Sequence, residues 1–76
     1  MPSATPELQD EMLRLFGDPI DDMGPINFLL EHGWTAHAFL WSKPGATPAN
    51  ITKDEANCLA FLADEWDHDY YFEGDK

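Results

Sequence analysis

The first apolar residues of the chain recur at helical spacing. Leu8, Met12, Leu15 and Phe16 are separated by three- and four-residue steps and so form one stripe. Thr5 suits the N-cap of this helix, Pro6 its first position and Gly17 its stop, which predicts a helix over about 6–16. "DPIDDMGP" breaks the pattern with prolines, glycine and aspartates, as a turn does. Pro25 then opens a second helix, "PINFLLEHG", over about 25–32. Ile26, Leu29 and Leu30 share a face, Gly33 stops the helix, and Trp34 is placed to fold back on that face.

"WTAHAFLWS" has no helix signal and two interleaved apolar sets, which predicts one strand over about 34–41. "KPGATPAN" is a loop by composition. "TKDE" is a capping box, with Thr52 as N-cap and Glu55 three positions in, so a third helix follows over about 53–67. Its apolar face takes in Ala56, Leu59, Ala60, Leu62, Ala63 and Trp66, with Phe61 at its margin. "DYYFE" then forms either a short second strand, about 69–73 and parallel to the first, or an irregular packed tail. The expected fold is α+β, a single mostly helical domain spanning 1–76 with three helices and a minimal two-stranded sheet. Its core draws on Leu8, Met12, Leu15, Phe16, Ile26, Leu29, Leu30, Leu59, Leu62 and Trp66.

Size and charge narrow the function. A chain of 76 residues makes one domain, which buries only roughly 60% of the surface it exposes when unfolded. Fifteen acids against four bases give a formal charge of −11, about one net negative charge for every seven residues. Such a chain repels nucleic acid and anionic membranes and attracts basic partners. The single cysteine, Cys58, excludes an internal disulfide and suits a reducing compartment. "MPSATPELQDEML" has neither a basic start nor an apolar run, and no stretch approaches the ~20 apolar residues of a membrane span. A cytoplasmic protein is expected.

The familiar chemistries fit poorly. Glu65, Asp67 and Asp69 match the first three ligand positions of a calcium loop. Tyr70 then stands where that loop needs glycine, and Lys76 where it needs glutamate. His32, His37, His68 and Cys58 offer no CxxC or HExxH spacing for a metal. Cys58 lies inside a helix with Asp54 and Glu55 one turn back, which raises a thiol's pKa and suits a buried structural role. No glycine-rich phosphate loop is present, and a chain of this length rarely builds a cleft of ~300 Å³ or more around paired carboxylates. No enzymatic activity, metal or cofactor is expected.

Recognition remains. Carboxylates three or four apart on a helix lie roughly 5–6 Å apart at their Cβ atoms, comparable to the spacing of phosphates along a nucleic-acid strand. The acids form three groups: Glu7, Asp10 and Glu11; Asp18, Asp21 and Asp22; and Asp64, Glu65, Asp67, Asp69, Glu73 and Asp75. Two groups on one face would imitate a backbone; scattered, they would serve solubility. Side chains alternate along a strand, so at least one of Tyr70, Tyr71 and Phe72 faces outward among these acids, where a Tyr suits an Arg- or Lys-rich partner. Trp34, Phe39 and Trp41 suit either a core or a dimer face.

In length, charge, its one cysteine and segments such as "DMGPINFLLEHGW" and "ITKDEANCLAFLADEWD", the chain resembles small acidic bacteriophage proteins that disable host systems. These are the anti-CRISPR proteins and the DNA-mimic inhibitors of restriction enzymes. They share no motif, so no functional residue carries over. The resemblance implies a stoichiometric inhibitor on the Lys/Arg-lined nucleic-acid surface of a host protein or complex. The expected contact residues are Asp64, Glu65, Asp67, Asp69, Tyr70, Tyr71 and Glu73, with Asp21 and Asp22 as additions. The alternatives are an acidic adaptor that binds a host protein elsewhere, a small metal protein, or a subunit of a phage assembly.

Overall fold

A computed structural model describes residues 5–74. Asp75 of the third acidic group and Lys76 of the calcium-loop comparison lie outside the described residues. The elements run α1 (Pro6–Phe16), α2 (Met23–Glu31), β1 (Thr35–His37), β2 (Leu40–Ser42), α3 (Lys53–Trp66) and β3 (Asp69–Tyr70). They form an α+β domain in which α3 packs against α1, α2 and β3.

The helix ends follow from local chemistry. Leu8 donates its backbone N–H to Thr5 Oγ1 at 3.2 Å, and Gly17 closes α1 at φ 82°. Thr52 and Glu55 make the reciprocal bonds of the capping box at the start of α3. At the end of α2, Gly33 has φ 90°, its N–H reaches Leu30 O, and the Trp34 N–H reaches Leu29 O at 3.0 Å. This is a Schellman closure, and Trp34 and Leu29 are both buried in the core beneath it. α2 begins two residues before Pro25, because Asp21 Oδ1 accepts from the Met23 and Gly24 N–H groups and supports an earlier start. Phe16 packs closely against Gly24, where an added Cβ would lie 2.9 Å from its ring.

The segment expected as one strand is a hairpin. β1 and β2 pair antiparallel, with His37 opposite Leu40, and only Ala38 and Phe39 link them. Their φ values are 52° and 69°, so both central residues are left-handed, as in a type I′ turn. For residues with a Cβ this costs on the order of 1–2 kcal/mol each. β3 pairs parallel with β2, which gives a three-stranded sheet in the order β1–β2–β3 in place of a two-stranded one. The last strand is two residues long, not five. Beyond it the chain is the packed tail: Tyr71 N–H reaches Trp41 O at 3.0 Å, and Gly74 N–H reaches Ala46 O at 2.9 Å.

Met12, Leu29, Leu59 and Leu62 are buried as expected, together with Trp34, Trp41, Ala46, Cys58 and Phe61. Leu8, Leu15, Phe16 and Ile26 are partly buried and pack against this cluster. Two expected core residues are not in it. Leu30 is 52% exposed, because α2 turns Pro25 and Leu29 toward the interior and places the next residue on its open side. Trp66, the last residue of α3, is 45% exposed and lines an open cavity with Gln9, Ile20 and Phe61. No helix among the described residues is long and apolar enough to cross a membrane.

Candidate partner-binding surface

The acids divide by what holds them. Glu55 is the interior one, 3% exposed. Its Oε2 accepts from the Trp34 indole N–H at 2.7 Å and from Lys43 Nζ at 3.2 Å. Its Oε1 accepts from the Thr52 backbone N–H at 3.1 Å and from the Thr52 hydroxyl at 3.0 Å. Burial pushes its pKa up, but the hydrogen bonds from Trp34, Thr52 and Lys43 outweigh it and hold the carboxyl at about 2. A carboxylate with every lone pair engaged ties α3 to the residue just before β1 and to the loop after β2. Cys58, also buried, is pushed up to about 12 by burial and then by Asp54 and Glu55. Its thiol is inert at neutral pH.

Some of the outer acids gather in two zones. Glu7 and Glu11 of α1 and Asp64 of α3 line one open groove of about 450 Å³, which Lys53 and Asn57 of α3 also line. Two acids of the first group and one of the third therefore share this groove. Glu11 is partly satisfied: it pairs with Arg14, accepts from Asn57 Nδ2 at 3.4 Å, and is held below the usual carboxylate range by the Arg14 hydrogen bond. Glu65 faces a neighbouring cavity of about 320 Å³ with Gln9, Ile20, Phe61 and Trp66. Asp64 and Glu65 occupy the last turn of α3, which has no basic residue, and Asp67 caps it in the left-handed region at φ 59°. Three acids thus sit at the negative end of a helix dipole, where fold stability alone favours cations.

The second zone is the hairpin tip. Asp67 and Asp69 are exposed on either side of His68. The Trp41 indole N–H donates to His68 Nδ1 at 2.8 Å. The His68 ring lies 5.0 Å from that of Phe39, which is 67% exposed. This Phe39–His68–Trp41 cluster, with His68 tilted against Phe39 and stacked on Trp41, is absent from the contacts expected from sequence. No signal there marked it, since Ala38-Phe39 is not a recognisable turn pair.

The other expected contact residues separate. Tyr70 and Phe72 pack against the core, with Phe72 edge-on to Trp34 at 6.4 Å, while Tyr71 points outward at 48% exposure. Glu73 is half-buried in the tail. Asp21 is engaged with the start of α2, and Asp22 is half-buried beside it. Among the described residues no group of three His, Cys, Asp or Glu side chains is arranged to hold a metal ion.

The model of a phage protein family, described as phage Pam3 gp59 related protein, matches residues 1–75. The chain belongs to that family. It is thus a phage-related protein, and the match covers both acidic zones and every element of the fold. Comparison with curated proteins and with solved structures gives no match.

Proposed function

We propose that this phage-family protein is a non-enzymatic inhibitor. It docks its carboxylates on the basic nucleic-acid-binding surface of a host protein, such as a CRISPR effector or a restriction enzyme, in the host cytoplasm. The observation that carries the reading is the α1–α3 groove, where Glu7 and Glu11 meet Asp64 although they are far apart in sequence. The acids at the C-terminal end of α3 add to it. They sit where the helix dipole opposes them, and a basic partner would offset that cost. The alternative is an acidic adaptor that binds its host protein away from the nucleic-acid site.

The test is capture from lysate of the host bacterium with tagged protein, with and without excess DNA and RNA, followed by mass-spectrometric identification. The inhibitor reading expects a nucleic-acid-binding protein recovered only without competitor. It also expects its affinity to fall about tenfold or more when Asp67 and Asp69 are both changed to Lys, with the circular-dichroism spectrum unchanged. Recovery of the same partner despite competitor would replace inhibition by the adaptor reading.

A further inference from the structure

We infer that Phe39, at the tip of the β1–β2 hairpin, is the apolar anchor of the partner interface, and that its partner offers an apolar pocket ringed by Lys or Arg. The inference rests on the reading of the chain as a partner-binding protein and adds a contact that carboxylates cannot supply. A two-residue turn with both φ values positive is made most readily by Asn-Gly. Here the pair is Ala38-Phe39, so the backbone is strained around a large apolar side chain that is 67% exposed. Strain of this kind persists where the surroundings enforce it, and it concentrates at binding sites.

The surroundings do enforce it. The Asp69 N–H donates to Phe39 O at 2.8 Å and pins the tip to β3. Trp41, itself buried, fixes His68 through the indole hydrogen bond, and His68 lies against the Phe39 ring. The ring is thereby held before any partner arrives, which lowers the ordering cost of binding. His37, Leu40 and Asp69 are register partners across the sheet and are all exposed, so they form one row beneath the tip.

Charge decides the occupant. Asp69 is bonded through its backbone to Phe39, Asp67 and Asp69 border His68 in sequence, and both acids are exposed. Of the cations in the described residues, Arg14 is paired with Glu11 and Lys43 with Glu55, while Lys53 lies in the α1–α3 groove. A second copy carrying −11 would be repelled. An apolar pocket with a cationic rim complements both the ring and its acidic border.

The experiment replaces Phe39 by the photo-crosslinker p-benzoylphenylalanine, and separately Glu7 of the groove, in full-length protein expressed in the host bacterium. The inference expects an adduct at position 39 to a host protein, on a peptide with apolar residues flanked by Lys or Arg, and lost when Asp67 and Asp69 are changed to Lys. An adduct at position 7 alone overturns the anchor and leaves the acidic surface standing. Adducts at neither position overturn both. A crosslink at 39 to a second copy, to a peptide without Lys or Arg, or unaffected by the charge reversals overturns the anchor. Phe39→Gly separates binding from packing: Tm should hold or rise by up to about 4–8 °C as strain is relieved, while the interaction is lost. A fall of that size would make Phe39 a structural residue.

Discussion

A carboxylate buried in a domain this small survives only if every lone pair has a donor, and Glu55 has four. Its ionised form is stabilised by folding, since its pKa falls from an ordinary value of 4.5 to about 2. The lowered folded-state pKa means that this stabilisation is complete above the unfolded value. It drains away as pH falls toward about 2. At neutral pH it is on the order of 3 kcal/mol. Glu55→Gln should therefore lose about 2–3 kcal/mol at pH 7 and much less at pH 2.5. Urea titrations followed by tryptophan fluorescence would measure both. Comparing the variant with the parent cancels the other acids, which also titrate in this range. Equal losses at both pH values would mean that Glu55 acts by shape and not by charge.

At the scale of elements, what could be read in the sequence was what is chemically local. Thr5, Gly17, Gly33 and the Thr52–Glu55 pair each carry their meaning within four residues, and all three helices end close to where those residues place them. The hairpin was not readable, because Ala38 and Phe39 are poor residues for positive φ and only the pairing of their neighbours forces them there. The arrangement of the acids was half readable. Acid density lies in the composition, but Glu55 meets Trp34 and Lys43 across 21 and 12 residues, and no spacing rule separates it from the surface acids. The end of α3 shows the same tension between local preference and the whole. Asp67 is an acid in a left-handed cap that Gly or Asn fills better, at the wrong end of the dipole. Asp67→Asn should raise stability by about 0.5–1 kcal/mol, read as a higher urea midpoint with unchanged slope. A loss instead would show that the carboxylate has a stabilising partner within the fold.

Over the whole molecule, the acids act together. The longest dimension is 34 Å, close to the ~30 Å screening length of 0.01 M salt. In such a buffer every exposed carboxylate senses the rest. At 1 M the length is about 3 Å and the repulsion is largely gone. Tm should accordingly rise as NaCl is raised from about 0.01 M to 1 M, whereas partner affinity falls over the same range. A Tm that declines with salt would mean that the ion pairs of Lys43 and Arg14 outweigh the repulsion.

Cys58 is fully buried in the core, with its thiol pushed up to about 12. A sulfhydryl reagent reaches it only when the core around it opens. The rate of alkylation therefore counts openings of the core. Each copy carries a built-in clock, one thiol per chain, that runs without any added label. It would slow when a partner clamps the fold shut, whatever that partner proves to be.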